Sequence, residues 1–260
     1  MCRVISVVNQ KGGTSKTAVS VNLAVGLSNA GEKVLLIDTD PQADASASLG
    51  FRDTDESDQT LTELFERVLN DEELPDGLFV RHQDEGPDVI VSNIDLAGVE
   101  VMLVNAMSRE YMLKEIIDRV RDKYSYVIID TMPSLGLLTI NSLAAADEVL
   151  IPVEASYLPI KGLQKLLQTV GKIRRQINPK LKIGGIVFTM VSIRTCEARE
   201  NMGILREGYG DKVRIFDTFI PASVRMKECC KEGKSIYKYA PNTPVARAYE
   251  YLTGEVIMCD

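Results

Sequence analysis

A short polar turn near the amino terminus has the composition of a phosphate-binding loop. It follows a run of β-branched apolar residues and reads Lys11-Gly12-Gly13-Thr14-Ser15-Lys16-Thr17. Glycines let the backbone approach phosphate oxygens, and the amides of such a turn attract negative charge together with the start of the next helix. A lysine at position 16 reaches the β- and γ-phosphates of a nucleotide, and a hydroxyl at position 17 ligates magnesium. The turn therefore predicts nucleotide binding, although Gln10 and Ser15 stand where the strict G-x-x-x-x-G-K-[ST] pattern has glycine.

Carboxylates end two apolar segments further along the chain. Asp38 and Asp40 close the run that starts at Val34, and Asp130 closes the run over residues 126–129. In parallel α/β sheets, ligands bind at the carboxyl ends of the strands. These three side chains are therefore candidates for the chemistry of the same site.

The elements that would position these groups alternate between apolar strands and amphipathic helices. Apolar runs predict strands over residues 3–8, 34–37, 89–91, 126–129, 149–153 and 183–188. A helix after the turn has Val19, Leu23 and Leu27 at helical spacing and Gly31 as its stop. One face of a later helix is formed by Ile160, Leu163, Leu166, Leu167, Val170, Ile173 and Ile177. This alternation predicts an α/β fold, with a mostly parallel twisted sheet and helices on both faces.

The domain organisation is expected to be simple. The chain has 260 residues, and α/β folds of this length often share one core, so we predict a single domain over residues 1–260. The acidic stretch over residues 53–88 has few strand signals and is interpreted as a helical excursion at the surface. It is too short to bury a core of its own.

The net charge of −7 conceals a split along the chain. Residues 1–150 contain 12 Lys and Arg against 26 Asp and Glu, whereas residues 151–260 contain 18 against 11. The overall acidity argues against a protein that coats nucleic acid with its whole surface. A basic carboxyl-terminal half can still present one positive face to a polyanion, with a solvated charge pattern of no function as the alternative.

Several other classes of protein are disfavoured by the cysteines, the histidine and the apolar runs. The five cysteines have no C-x-x-C pair, which argues against a disulfide framework, a zinc site or a shared iron–sulfur cluster. His82 is the only histidine, so a histidine-based triad is excluded. No apolar run reaches the 18 or so residues of a membrane span, and Met1 leads directly into a strand-like segment rather than a signal peptide. We therefore expect a location in the reducing cytoplasm.

Three ordered motifs resemble those of the ParA/Soj partition ATPases, which have a deviant Walker A phosphate loop. They are Gln10-Lys11-Gly12-Gly13-x-x-Lys16-Thr17, Asp38-x-Asp40-Pro41-Gln42 and Asp130-x-x-Pro133-Ser134. The resemblance extends through Ile220-Pro221 and Val224-Arg225 to Tyr239-x-Pro241, so it covers essentially the whole chain. It implies a P-loop fold, ATP or ADP with Mg²⁺ as cofactors, and a slow, partner-stimulated hydrolysis of ATP.

The resemblance also assigns roles within these motifs. Lys11 would cross to the phosphates bound by a second subunit in an ATP-bound homodimer, and so act in catalysis together with Lys16. Asp40 would position or activate the attacking water. Magnesium would be held by Thr17 and Asp130, with Asp38 in support. The nucleotide-binding residues of the loop would be Lys11, Gly12, Gly13, Thr14, Ser15, Lys16, Thr17 and Ala18.

Other assignments lie in the second half of the chain. The resemblance places the segments Thr189-Met190-Val191 and Pro221-Ala222-Ser223-Val224 around the adenine base, with Met190, Pro221, Ala222 and Val224 as the binding residues. It places Glu154 near the nucleotide and the dimer interface. It assigns sequence-independent binding of double-stranded DNA to Arg194, Arg225 and Lys227. The implied partners are a second copy of the chain, DNA and a ParB-like centromere-binding protein, in a bacterial cytoplasm at the nucleoid and without a membrane.

Departures from the family pattern keep two alternatives open. Ser15 replaces a glycine close to the phosphates, Met132 stands where proline is usual, and Asp44 where a small or amide residue is common. These changes are compatible with a hydrolysis-impaired scaffold that still binds nucleotide. A membrane-associated positioning ATPase of the MinD type is the other alternative, but residues 250–260 lack the basic amphipathic helix that it would need.

Overall fold

A parallel β-sheet runs through the protein. The computed structural model describes residues 2–155, 159–192 and 195–259. Within these ranges the strands are β1 (Arg3–Val7), β2 (Val34–Thr39), β3 (Asp88–Ile90), β4 (Tyr126–Thr131), β5 (Glu148–Glu154), β6 (Lys182–Val191) and β7 (Ile215–Pro221). They pair in the order β3-β2-β4-β1-β5-β6-β7, and every neighbouring pair is parallel. The predicted α/β class with a parallel sheet is confirmed.

Helices cover both faces of the sheet. They are α1 (Lys16–Asn29), α2 (Asp44–Ser48), α3 (Leu61–Leu69), α4 (Leu96–Leu103), α5 (Met112–Asp118), α6 (Leu137–Ala145), α7 (Pro159–Gln176), α8 (Cys196–Tyr209), α9 (Arg225–Glu232), α10 (Ile236–Tyr239) and α11 (Pro244–Ile257), with a 3₁₀ turn over Arg121–Lys123. Helix α1 packs against α10 and α11 on one face, and α3, α5, α6 and α7 pack on the other. No helix in the described parts of the chain is long and apolar enough to cross a bilayer.

The two hydrophobic layers follow from the alternation of side chains along each strand. Val4 and Leu35 belong to the layer beneath α3–α8, whereas Ile5 and Leu36 belong to the layer beneath α1 and α11. Because both faces are covered there, the central strands β1, β2, β4 and β5 are buried and mainly apolar on both sides. This is why these strands are nearly continuous apolar runs in the sequence.

Helix α1 starts where the phosphate-binding turn ends and stops where the sequence predicts. The amide of Ala30 donates to the carbonyl of Gly26, and Gly31 takes a left-handed φ of 92°. Gly26 also allows a close approach to α11, since a Cβ there would collide with Thr253. The helix is therefore held at its middle by α11 as well as by the sheet.

Two parts of the chain differ from the sequence prediction. Strand β7 was not predicted, because it mixes apolar residues with Asp217 and Thr218 at an edge of the sheet, where one side faces solvent. The acidic excursion contains α3, as expected, but α3 is not confined to the surface. Its Leu61, Leu64 and Phe65 are fully buried in the core.

Candidate functional site

A cavity of ≈ 670 Å³ opens at the carboxyl end of the sheet, beside the central strand β1. The chain turns from β1 to one side of the sheet and later returns through β4 to build the other side, so the order of strands reverses here. The residues that line the cavity include Gly12, Gly13, Thr14, Ser15, Lys16, Thr17, Ala18, Asp40, Asp44, Ser48, Met190, Pro221, Ala222, Cys230 and Tyr249. The fold therefore brings most of the predicted nucleotide-binding residues to one cavity.

The loop between β1 and α1 is fastened on both sides by hydrogen bonds. The side-chain Nδ2 of Asn9 donates to the carbonyl of Pro152 at 2.6 Å, and Oδ1 of Asn9 accepts from the backbone N–H of Lys11 at 3.0 Å. Further along, the hydroxyl of Thr189 in β6 donates to the carbonyl of Thr14 at 3.1 Å. The loop is thus braced against β5 and β6 before any ligand contact is considered.

The backbone of the loop has the conformation that an anion site requires. Gly13 has φ 76°, and Ser15, the residue before α1, has φ 63° and ψ 28°. The first turn of α1 then presents its free amides to the cavity. A residue other than glycine in the left-handed conformation is strained by roughly 1 kcal/mol. Ser15 therefore occupies a position that favours glycine.

Lys16 is buried among carboxylates at the base of the loop. Its residue exposure is 6%. Burial lowers the pKa of Lys16, and the negative charges of Asp130 and Asp40 act in the opposite direction. A lysine held this way keeps its ammonium group close to where a phosphate would lie, instead of in solvent.

Asp130 is the buried carboxylate of the site. Its two oxygens accept hydrogen bonds from the hydroxyls of Thr17 at 2.8 Å and Ser20 at 2.7 Å. Burial and the nearby charge of Asp38 raise the pKa of Asp130. Thr17, which lines the cavity, is therefore hydrogen-bonded to a fully buried carboxylate whose charge also acts on Lys16.

The two carboxylates that end β2 have different environments. Asp38 is fully buried, and its side chain accepts from the backbone and hydroxyl of Ser46 at 2.8 and 2.7 Å and from the backbone of Asp40 at 3.1 Å. Burial raises the pKa of Asp38, although these hydrogen bonds oppose the shift. Asp40 lines the cavity, and only its Oδ1 accepts a hydrogen bond from a described residue, the backbone N–H of Gln42 at 3.0 Å. Asp38 thus anchors the segment between β2 and α2, while Asp40 lines the cavity.

Lys11 lies at the outer rim of the site and pairs with Glu154. Its Nζ is 2.7 Å from Oε2 of Glu154, and the two side chains are 43% and 30% exposed. Unlike Lys16, this lysine is outside the cavity lining. The two lysines of the loop therefore differ in burial and in direction.

Three of the four predicted base-binding residues line the cavity, and the fourth does not. Met190, Pro221 and Ala222 line the cavity, and Met190 has a left-handed φ of 53° at the end of β6. Val224 precedes α9 and is outside this lining, with 72% of its surface exposed. The structure therefore places three of these four residues at the cavity.

Two of the three predicted DNA-binding residues, Arg225 and Lys227, lie at the same end of the sheet as the cavity. Arg225 starts α9 and forms an ion pair with Glu228 at 2.8 Å, with its side chain 53% exposed. Lys227 is exposed and also borders the cavity. Arg194 lies outside the described residues. Two positive residues are thus exposed close to the mouth of the cavity.

The bracing contacts of three side chains are not predicted from the sequence, although Thr189 belongs to the segment expected around the adenine base. Ser20 contacts Asp130, Thr189 fastens the loop, and Ser46 anchors Asp38. Ser20 stands one helical turn after Lys16, a spacing that suggests a shared helix face. The hydrogen bond from Thr189 to Thr14 has no comparable signal, because it depends on which strand lies next to β5.

A braced glycine turn, a buried lysine and a hydroxyl beside a strand-end carboxylate define a phosphate-loop nucleotide-binding protein. The sequence signature described as an AAA domain matches residues 2–183. The chain is 39% identical over 260 residues to the chromosome-partitioning ATPase Soj of Treponema pallidum, covering 100% of this chain and 99% of that one. It is 37% identical over 257 residues to the chromosome partitioning protein ParA of Caulobacter vibrioides, covering 98% and 94%. The chain belongs to the ParA/Soj family.

A solved structure has a similar fold. The cobyrinic acid a,c-diamide synthase of Mycobacterium smegmatis, solved with bound ADP and magnesium, matches with a TM-score of 0.83 at 32% identity. The match covers 98% of this chain and 93% of that chain. A relative with this fold therefore holds the two ligands that the sequence predicts here.

Proposed function

We propose that the protein is a partition ATPase that segregates chromosomal or plasmid DNA. ATP with Mg²⁺ binds in the cavity, two copies of the chain then form a sandwich dimer, and the dimer binds DNA without sequence preference. A ParB-like partner stimulates hydrolysis and so releases the DNA. The observation that supports this proposal best is that buried Lys16 and Asp130 lie with Thr17 beside Asp40, in a chain of this family.

The donor groups at the base of the cavity fit a magnesium nucleotide. The Thr17 hydroxyl and the Asp130 carboxylate are hard oxygen ligands, which Mg²⁺ prefers, and they are 2.8 Å apart. The ion would neutralise phosphate charge when bound. Asp38 supports Asp130 through the packing of β2 against β4 and has its own oxygens committed to Ser46 and Asp40. The loop amides and Lys16 hold the phosphates.

Asp40 is the proposed residue that orients the attacking water. It is 9% exposed, lines the cavity and has Oδ2 free of hydrogen-bond donors among the described residues. Its other oxygen is held by the backbone of Gln42, which fixes the direction of the carboxylate. A water bound to such a carboxylate is positioned for attack on the γ-phosphate. Slow turnover is expected until a partner improves this alignment.

In the proposed dimer, Lys11 of each copy reaches the phosphates that are bound by the other copy. It extends from the rim of the loop and, in a single chain, pairs with Glu154 at 2.7 Å. An exposed pair of this kind is worth about 1 kcal/mol or less, so its release opposes dimerisation only weakly. A cation that arrives only in the dimer would stabilise the charge that develops on the transferred phosphoryl group.

DNA binding is assigned to the basic residues near the mouth of the cavity. Arg225 and Lys227 are exposed there, and Arg194 is the third member of the proposed set. Phosphate contacts need positive charge on a shared face but no fixed geometry. Their affinity should fall steeply as salt rises.

A membrane-associated role of the MinD type has less support. Helix α11 would have to lie on the lipid surface, but its Tyr249, Leu252 and Val256 are buried against the rest of the protein. A hydrolysis-impaired scaffold has one observation in its favour, the left-handed Ser15. Phosphate release measured with DNA and the cognate partner present separates the scaffold from the ATPase.

The decisive experiment is a size measurement that depends on nucleotide. Light scattering should give single copies with Mg-ADP and dimers with a slowly hydrolysed ATP analogue and magnesium. Retention of DNA should then follow the dimer and disappear across a salt series. A dimer that forms equally well without nucleotide, or calorimetry that shows no binding of Mg-ATP, would contradict the proposal.

A further inference from the structure

A groove of ≈ 710 Å³ lies between helices α7 and α8, and it shares no lining residue with the nucleotide cavity. Its lining comes from residues 164–175 of α7 on one side and from residues 208–212, at the end of α8 and just after it, on the other. We call this feature the α7–α8 groove. Because β6 and β7 start after these two helices, Arg175 and Lys212 lie toward the amino ends of the strands, whereas the nucleotide cavity lies at their carboxyl ends.

The charged residues that line the groove are all positive. Lys172, Arg175 and Lys212 are exposed there, and none of them has an ion pair or a side-chain hydrogen bond with a described residue. Glu207 and Asp211 are neighbours of lining residues in the sequence but do not line the groove themselves. The three cations therefore remain available to a ligand with carboxylates.

The floor of the groove is apolar and has free space above it. Leu167 and Tyr209 line the groove and pack against the hydrophobic core beneath the helices. Gly171 and Gly208 also line it, and a Cβ added to either glycine would meet no atom of a neighbouring element within 4 Å. At Gly26, by contrast, a Cβ would collide with Thr253. These two glycines therefore leave room between the helices instead of allowing a close contact.

The dimensions of the groove fit a short stretch of extended protein chain. From Gln164 to Arg175, α7 advances by about 17 Å, which an extended peptide covers with about five residues. The side-chain amides of Gln164 and Gln168 can donate to and accept from a peptide backbone. A DNA duplex is wider than the roughly 10 Å between the axes of neighbouring helices, so it would leave the apolar floor uncovered.

We propose that the α7–α8 groove binds an extended acidic segment of a partner protein. An apolar side chain of the segment covers the floor, and its carboxylates pair with Lys172, Arg175 and Lys212. The net charge of the chain is −7, so an acidic segment is repelled by most of the surface and attracted to this groove. The inference goes beyond the proposed nucleotide cycle and does not depend on it, since the groove and the nucleotide cavity have separate linings.

The test is the fluorescence anisotropy of a labelled peptide added to the full chain. The peptide has about eight residues, with a pair of leucines at its centre and glutamate elsewhere. We expect a Kd of about 10–100 µM at low salt. Replacing glutamate by glutamine should weaken binding at least about tenfold, and replacing leucine by serine at least about threefold. Equal binding of the glutamate and glutamine peptides, or a Kd above about 1 mM for the glutamate peptide, would overturn the proposal.

Matched substitutions in α7 show whether the peptide occupies the groove. Lys172→Glu should weaken the glutamate peptide at least about tenfold, whereas Lys165→Glu, at an exposed position outside the lining, should change its affinity by less than about twofold. Gly171→Leu fills the groove without changing its charge and should also weaken binding at least about tenfold. Gly162→Leu is its control, because Gly162 has the same open space at its Cβ but does not line the groove.

Circular dichroism and thermal unfolding show whether each variant is folded. If Gly171→Leu does not fold, the comparison of Lys172→Glu with Lys165→Glu still decides the question. Equal losses in those two variants would attribute binding to general charge and overturn the proposal. A folded Gly171→Leu that keeps its peptide affinity, or that loses the ATP-dependent dimer, would also overturn it, the latter by placing a second copy in the groove. If the protein fails to bind Mg-ATP, the proposed function fails, and the peptide measurements remain decisive for the groove.

Discussion

The phosphate-loop end of the cavity and the basic surface at its mouth are built in opposite ways. Around the loop, Lys16, Asp38 and Asp130 are buried, and hydrogen bonds tie the loop and these carboxylates to neighbouring elements. At the mouth, Arg225 and Lys227 are exposed, and Arg225 forms an ion pair with Glu228 on its own helix. The first region fixes positions, whereas the second presents charge.

The difference matches the chemistry that we assign to each region. Transfer of a phosphoryl group requires atoms to be placed within a few tenths of an ångström, so braces such as those of Asn9 and Thr189 are needed. Contacts with the backbone of DNA require only net positive potential over a face. Substitutions in the first region should therefore produce large, specific losses, and those in the second should produce small losses that depend on salt.

The largest effect is expected from Asp40→Ala. Removing the carboxylate that orients water should lower the rate of ATP hydrolysis by about 10²–10⁴, while Mg-ATP binding and dimer formation persist. Phosphate release and light scattering measure the two properties. Asp44→Ala is the matched control, because Asp44 lines the same cavity and has no proposed role. Hydrolysis at the parent rate in Asp40→Ala would show that the catalytic assignment is wrong.

Lys16→Ala compared with Lys11→Ala tests whether burial distinguishes the two lysines. Loss of a charged hydrogen-bond donor inside the cavity costs about 1.5–3 kcal/mol, so Lys16→Ala should lower ATP affinity roughly 10- to 100-fold or more. Lys11→Ala should keep the affinity of single copies within about threefold and lose the ATP-dependent dimer. Calorimetry and light scattering measure these outcomes. Equal losses of affinity in both variants would contradict the assignment of Lys11 to the second copy.

A smaller effect is expected on the basic surface. Arg225→Glu should weaken DNA binding and reduce the slope of log K against log salt by about one for each DNA phosphate that the variant no longer neutralises. Arg67→Glu is the control, since Arg67 also has a helical ion pair but belongs to the acidic half. Filter retention across a salt series measures both variants. A change in affinity without any change in slope would mean that Arg225 acts on folding or dimerisation instead.

The smallest effect is expected from Ser15→Gly. Glycine removes roughly 1 kcal/mol of left-handed strain and a side chain at the loop, so the ATP-dependent dimer should become up to about fivefold tighter. Ala43→Gly is the control, because Ala43 is also left-handed, with φ 53°, and precedes α2 instead of α1. Equilibrium sedimentation with the ATP analogue measures the dimer. Equal gains in both variants would attribute the effect to general stability and not to the loop.

The same contrast explains how far the sequence alone leads. Lys16 and Thr17 start the helix that follows an apolar strand, and Asp130 stands near the end of another, so both the sheet and the centre of the site were predictable from ordered motifs. The braces were not, because Thr189 reaches Thr14 only through the packing of distant strands. Strand β7 was missed since its polar residues interrupt the apolar pattern at the sheet edge. Nothing in the sequence distinguishes Cys230 from the other cysteines, and only the packing of α9 against α2 shows that it borders the cavity.

In the proposed cycle, Glu154 and the γ-phosphate bound by the second copy compete for the ammonium group of Lys11. While a γ-phosphate is present, its multiple negative charges outcompete one half-exposed carboxylate for the ammonium group. In the proposed dimer, loss of the γ-phosphate would remove part of the attraction that holds Lys11 across the interface. The pair with Glu154, worth about 1 kcal/mol or less, would then favour separation of the two copies by a small amount.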